Sequence, residues 1–404
     1  MIFFYLFILA IALLGSVTIG PLSIRVYMTC LMIIYLAYQN VRGVHKSYFR
    51  EDHSLLNLYV VFLIAMGISL GCNGEIFEYE YLKKMLAYHL VCVVTFIAIE
   101  RYVNSYNDLR RTIILLGGIL LLNNIVTYLQ YSGSPIGWAI GMAFSDITSN
   151  IDYATEHETL LGASQTPGII GGVVRNAFFI AVISPLLLVL TDNRNSLYIR
   201  LFGIVVFATS IVSCFMTQQR TAFALILVAI VVYVYSEFRK KPLLVIFLMA
   251  IICYVVSSNL DINNSDLGRF ADNTDDTRNR LYAAAIDYIT QYPVFGGPMR
   301  FQRMAGLSSH NLILDSWIFA GLGGFFIMVI LFLKTIVKGA TNLIVGFKTN
   351  AQDRYMVFTA LSTLSAMAYG LFHNTSYLTG DVIIFISLSI MLKVIALRNN
   401  NVAA

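Results

Sequence analysis

Residues 171–191 read GGVVRNAFFIAVISPLLLVLT, 21 residues with a single charge, Arg175, near their start. About 20 apolar residues in a helix cross a bilayer core, and a run of this kind predicts a spanning helix rather than a soluble one. Runs like it recur along the chain, at 2–20, 22–41, 55–72, 84–100, 111–131, 198–217, 221–237, 242–258, 311–333, 355–372 and 381–397. Composition agrees: 58% of residues are hydrophobic and 12% charged, far from an ordinary soluble domain. The fold expected is all-α and polytopic. About a dozen transmembrane helices form one integral membrane domain over 1–404, with long loops at 132–170 and 259–310. The first run has no basic residue before it and no distinct small-residue cleavage site, and reads as a retained helix rather than a signal peptide.

The basic residues report orientation. With the N-terminus inside, the inner loops and tail hold 17 of the 27 Lys and Arg residues, as the positive-inside rule requires. Both termini are then cytoplasmic and both long loops lie outside. The first long loop has no Lys or Arg between Tyr131 and Val174 but contains Asp146, Asp152, Glu156 and Glu158. With Trp138 and Tyr153 it has the composition of a sugar-binding lid. Stretch 334–354, with Lys334, Lys338 and Lys348, reads as an interfacial amphipathic helix against anionic headgroups. The net charge of +5 is spread along the chain, which excludes a nucleic-acid-binding block. The five cysteines form no CxxC or Cys/His cluster, so they read as core-filling thiols, with neither zinc nor a disulfide framework.

Ten basic residues stay outside against the bias: Arg25, Lys83, Lys84, Arg175, Arg220, Arg269, Arg278, Arg280, Arg300 and Arg303. Eight are arginines, whose planar fork grips phosphate with two hydrogen bonds. Arg220 sits in the polar hinge Thr217-Gln218-Gln219-Arg220-Thr221 between two apolar runs. Arg25 and Arg175 lie just inside their helices and either bind an anion or pair with a carboxylate such as Asp381. In the second loop, Asp275-Asp276-Thr277 supply capping chemistry for a short surface helix ending before Pro293. Leu281, Ala285, Tyr288 and Tyr292 form its apolar face, and Arg280, Ala284, Asp287 and Gln291 a polar stripe. The loop ends at Ser308-Ser309-His310-Asn311. A histidine at this boundary suits hydrogen bonding to a hydroxyl or a phosphate oxygen. Asp315 stands within reach to orient the ring or a substrate hydroxyl, or else pairs with an arginine.

Three stretches in order carry a resemblance to the O-antigen polymerase and ligase superfamily, bacterial membrane glycosyltransferases of the GT-C-like class. They are Gln219-Arg220-Thr221-Ala222, then Arg280-Leu281-Tyr282-Ala283-Ala284-Ala285-Ile286 running to Pro293-Val294-Phe295-Gly296, then His310-Asn311-Leu312-Ile313-Leu314 with Gly321 to Gly324. The resemblance covers roughly 200–335. It implies transfer of a glycan from an undecaprenyl-pyrophosphate-linked donor at the periplasmic face of the inner membrane, with inversion and no metal or other cofactor. It assigns Arg220 and a loop arginine to the pyrophosphate and His310 to the catalytic centre. The outer-face positions of Arg25, Arg175, Asn311 and Asp315 make them further substrate-binding candidates. The family's P-x-x-G-x-G ends here in Gly296-Gly297-Pro298, and Arg278 competes with Arg280, which is favoured because it directly precedes the apolar run. Expected partners are the lipid-linked oligosaccharide, membrane lipids and a chain-length regulator.

Gly20-Pro21-Leu22-Ser23-Ile24-Arg25 resembles polymerases more than ligases, so a polymerase is favoured over transfer to lipid A core. A lipid-linked sugar transporter is the rival from another class. It requires ionisable or broken segments at midplane, where His89 and Asn123-Asn124 are the main polar exceptions.

Overall fold

The structure is a computed structural model that describes residues 1–15, 17–20, 22–42, 53–75, 85–144, 165–170, 172–238, 275–305, 308–348, 353–373 and 377–403. In chain order the helices are α1 (Ile2–Leu13), α2 (Ile24–Val41), α3 (Ser54–Cys72), α4 (Val91–Tyr102, entered through a π-helical turn Met85–Leu90) and α5 (Tyr106–Tyr131). They continue with α6 (Pro135–Phe144), α7 (Val173–Leu187, prolonged by a 3₁₀ turn Leu188–Thr191), α8 (Leu197–Met216), α9 (Arg220–Phe238) and α10 (Asp275–Gln291). The last are α11 (Pro298–Ala305), α12 (Leu312–Lys348), α13 (Arg354–Gly370) and α14 (Val382–Ala403). Among the described residues, seven helices are long and apolar enough to cross a membrane: α3, α5, α7, α8, α9, α12 and α14. The chain is thus an all-α multi-pass membrane protein. The expected span 242–258 lies outside the described residues.

Several expected boundaries are corrected. The 2–20 run is not one helix: α1 stops at Leu13, and Thr18–Ile19 pairs antiparallel with Leu22–Ser23 around Gly20. A glycine followed by a proline cannot continue a helix comfortably, and the hairpin satisfies the backbone there instead. Among the described residues of the 334–354 stretch there is no separate interfacial helix, because α12 runs on without a break from 334 to Lys348. Thr335, Gly339, Asn342 and Gly346 are buried along that part, and Thr335 shares a 3.1 Å hydrogen bond with Tyr377. The 132–170 loop begins with α6, whose Trp138 is 3% exposed and donates to Gln130 O at 3.2 Å. That burial removes Trp138 from a sugar-binding lid; Tyr153 lies outside the described residues.

Helix α7 is the axle. Every residue from Asn176 to Leu187 is buried, as a helix apolar all round must be. It is packed by α5, α8, α9 and α13. Its one deep amide is fully used: Asn176 donates to Thr127 Oγ1 (3.1 Å) and Thr166 O (3.0 Å) and accepts from Asn123 (2.7 Å). Asn123 also accepts from the Ile169 amide at 3.0 Å, and Asn124 donates to Ser210 at 3.0 Å. His89 and the Tyr59 hydroxyl are 2.6 Å apart. The polar residues that a transport pathway requires at midplane are thus held by fixed partners, as interhelical clamps.

The two ends of the bundle differ. At the end carrying the α7–α8 and α12–α13 turns, several cations are held by internal partners. Arg354 pairs with Glu237 and donates to Thr191 Oγ1 at 2.6 Å, and Lys393 donates to Glu100 O at 2.7 Å. Arg194 pairs with Asp192 at 2.8 Å. Burial alone would raise the Asp192 carboxyl, but the Arg194 bonds hold it below the usual carboxylate range. The opposite end gathers the starts of α2, α7, α9, α12 and α14 with the finish of α13. It carries Arg25, Arg175 and Arg220 in the first turns of α2, α7 and α9.

Candidate active site

The loop helix α10 does lie on the bundle. Leu281, Ala285, Tyr288 and Ile289 are buried, and the last three pack with Phe301 of α11 and Ile318 of α12. Tyr292 departs from the expected apolar face: it is 38% exposed, and the Arg300 guanidinium sits 4.5 Å from its ring centroid. Arg280 is exposed, in line with Asp287 and Gln291, which share a 3.0 Å hydrogen bond. The capping residues Asp275 to Thr277 and Arg278 belong to α10, but their side chains lie outside the described ones.

What fastens α10 is a backbone lock between the second and third motifs. Gly321 (φ 65°) breaks α12, and the Pro293–Phe295 turn enters the break. Leu322 N–H donates to Pro293 O and Val294 O, both at 3.2 Å, and Gly297 N–H to Ile318 O at 2.8 Å. Trp317 Nε1 donates to Pro293 O at 2.8 Å, and Ser69 and Asn73 of the α3 end both donate to Phe295 O. A Cβ on Gly296 would overlap Ile318 O, and one on Gly321 would overlap Val294 O. Each backbone therefore occupies the space a side chain would need. Tyr288 donates to Gly297 O at 2.7 Å, and burial raises its hydroxyl to about 12.

His310 and the residue two before Arg220 share a further property. Among the described residues, Gln218 (φ 53°) and His310 (φ 58°) are the non-glycine residues with left-handed backbone. Such strain persists where the surroundings over-determine it, and it gathers at functional sites. At His310 the surroundings are explicit. Asp315, 4% exposed, accepts the Ser309 N–H at 2.8 Å, and Asn311 caps α12 by accepting from Ile313 at 2.9 Å. Asp315 thus holds the loop beneath the histidine; no arginine is among its described partners.

The turn after α13 joins the two motifs. Asn311 Nδ2 donates to Leu371 O at 3.3 Å, and two residues on, His373 Nε2 lies 3.2 Å from Thr221 Oγ1 beside Arg220. His373 is 7% exposed and stacks on Tyr369 with centroids 4.3 Å apart. Tyr369 in turn donates to Val174 O, next to Arg175, at 3.0 Å. Arg220, His310 and Arg175 therefore stand around one short segment, 369–373. Arg25 lies with Arg175 in a neighbouring cleft. The sequence reading did not single out His373, although it carries the same signal as His310: a histidine at the outer end of an apolar run.

These features define a membrane-embedded helical bundle with a cationic, histidine-bearing rim at one end and a surface helix locked beside it. Residues 205–329, which run from α8 through α12, match the family model described as O-antigen ligase. The match supports the O-antigen polymerase and ligase superfamily and a function of that type, without separating polymerase from ligase. No curated protein matches the chain.

Proposed function

We propose that this protein polymerises a surface glycan, transferring the chain from an undecaprenyl-pyrophosphate donor to a lipid-linked repeat unit at the periplasmic face of the inner membrane. The observation that carries the reading is the 371–373 turn. It hydrogen-bonds both Thr221 and Asn311 and so sets Arg220 and His310 on one rim. In the reaction, the acceptor hydroxyl oxygen attacks the anomeric carbon as the carbon–oxygen bond to pyrophosphate breaks, inverting that centre. The hydroxyl proton leaves to a base, and undecaprenyl pyrophosphate departs with the electron pair. Arg220 and Arg280 stabilise the growing negative charge, a role fixed cations fill without a metal ion. His310 takes the acceptor proton or hydrogen-bonds the leaving phosphate. The end that carries Arg220 and His310 faces the periplasm and both termini the cytoplasm, since the opposite loops and tail hold 17 of the 27 Lys and Arg residues. Lipid substrates reach the rim from the bilayer, and a chain-length regulator is a further partner of this reading.

The ligase reading, with lipid A core as acceptor, is favoured by the description of the matching family model. A deletion strain separates the two. Loss of a polymerase leaves core capped with a single repeat unit. Loss of a ligase leaves bare core while polymer accumulates on the lipid carrier, and that outcome would refute the polymerase. Transport is disfavoured by the fixed interhelical bonds that hold Asn123, Asn124 and His89.

A further inference from the structure

We infer that the cleft between α1, α2, α7 and α14 is a second phosphate-binding site, distinct from the Arg220–His310 rim, and that it holds the phosphate of the lipid-linked acceptor. The acceptor part of this inference rests on the polymerase reading; the site itself rests on geometry. Arg25, Arg175 and Asp381 line the cleft together with apolar Ile11, Phe178 and Val382. Arg25 is 8% exposed, and its Nε is buried without a hydrogen-bond partner. A buried guanidinium N–H left unpaired is costly, and an oxyanion in the cleft removes that cost.

A second guanidinium converges on the same place. Arg25 and Arg175 lie 5.3 and 5.7 Å from the centroid of one ring, Tyr88. Two like charges gathered there repel unless an anion lies between them. Asp381 lines the cleft and offsets part of that charge but does not bridge the two arginines. Its Oδ1 accepts the Ile383 N–H at 3.0 Å to cap α14, and among the described residues it forms no ion pair with either arginine. Both arginines stand in the first turns of their helices, α2 and α7, where the helix dipole also favours an anion. Gly15 makes room for the guanidinium, because a Cβ there would overlap Arg25 Nη2.

The ligand class follows from the charge. Two arginines against one carboxylate suit a compact anion such as a phosphate group. Tyr369, bonded to Val174 O on the cleft side and stacked on His373 on the rim side, separates the two anion positions. A reaction that joins two lipid-linked pyrophosphates needs two such positions side by side.

The test uses the full chain in nanodiscs, titrated with undecaprenyl phosphate and, separately, with inorganic phosphate. The wild type should show two undecaprenyl phosphate sites. Arg25→Gln and Gly15→Ala should each weaken one of them by about tenfold or more, and Arg220→Ala should weaken the other. Persistence of the Arg220-dependent site in Arg25→Gln shows that the variant is folded. Inorganic phosphate binding with the same Arg25 dependence upholds the phosphate site and makes free phosphate a sufficient occupant. Binding that vanishes in Arg220→Ala and is untouched by Arg25→Gln overturns the second site while leaving the proposed function intact. No binding of either probe that depends on Arg25 also overturns it.

Discussion

Replacing Gly321 by alanine should undock the loop helix α10 without disturbing the membrane-crossing part of α12. The residue sits at φ 65°, and a Cβ would lie 2.8 Å from Val294 C and 2.9 Å from Phe295 Cα, in addition to overlapping Val294 O. These are backbone atoms, so no side chain can swing aside. The left-handed conformation costs alanine about 1 kcal/mol. Displacing the turn loses the Leu322 bonds to Pro293 O and Val294 O and weakens the Trp317 bond, about 1 kcal/mol for each bond lost. A total of about 3 kcal/mol lowers the docking equilibrium roughly 100-fold. The assay replaces Ala285, which is fully buried under α10, by cysteine in a background lacking the five native cysteines. Labelling by a membrane-impermeant maleimide should be slow in the parent and faster by up to about 100-fold with Gly321→Ala, with glycan output falling in parallel. Gly323→Ala is the control, since a Cβ there meets nothing within 4 Å. Unchanged labelling and full output in Gly321→Ala would refute the lock.

Arg220→Ala and Arg280→Ala should each abolish glycan output while the protein stays inserted, and lysine should restore only part of it, because an ammonium lacks the guanidinium fork; wild-type output from both alanine variants contradicts the assignment. Arg354→Met should destabilise the purified protein by about 3 kcal/mol, because Glu237 loses its charge partner. The double change with Glu237→Leu should recover most of the melting temperature, and an unaltered single variant would show the pair to be idle. Burial raises the Glu75 carboxyl above the ordinary carboxylate range, despite bonds from the Met299 and Arg300 amides. Folding therefore favours its protonated form: that contribution is present at pH below the unfolded value and is lost as pH rises through the raised one. Glu75→Gln should flatten this dependence in pH-resolved melting curves, and an identical slope would exclude Glu75 as its source. Reporter fusions after Arg50, Arg111 and Lys348 should score cytoplasmic and fusions near Thr155 and Asn273 periplasmic; the reverse at both loops would remove the basis for the site.

Hydropathy located α5, α7, α8, α9 and α13 to within a few residues, because a span must be long and apolar whatever it packs against. It misread α12, where Lys334 and Lys338 interrupt the apolar run but do not break the helix; long lysine side chains can keep their charge near the interface. Packing partners were not legible either. Asn123 and Asn124 read as midplane exceptions, yet they are clamps on Asn176, Ile169 and Ser210, residues about 46 to 86 positions away in sequence. Motif order brought out Arg220, the α10 face and His310, since each combines polar chemistry with an apolar boundary. It did not show that Gly321 is where the second motif enters the third. Nor did it show that His373 joins the Arg220 hinge to the His310 loop, a relation that exists only once α13 returns to that end of the bundle.

The most direct measurement is glycan transfer by the purified full-length protein in nanodiscs, supplied with an undecaprenyl-pyrophosphate-linked oligosaccharide as both donor and acceptor and with no added metal. The account predicts lipid-linked products lengthened by whole repeat units, one undecaprenyl pyrophosphate released per bond formed, and neither product with Arg220→Ala. Elongation that appears only when lipid A core is added would make the protein the ligase. Absence of transfer to either acceptor, or full transfer by Arg220→Ala, would contradict the account at its centre.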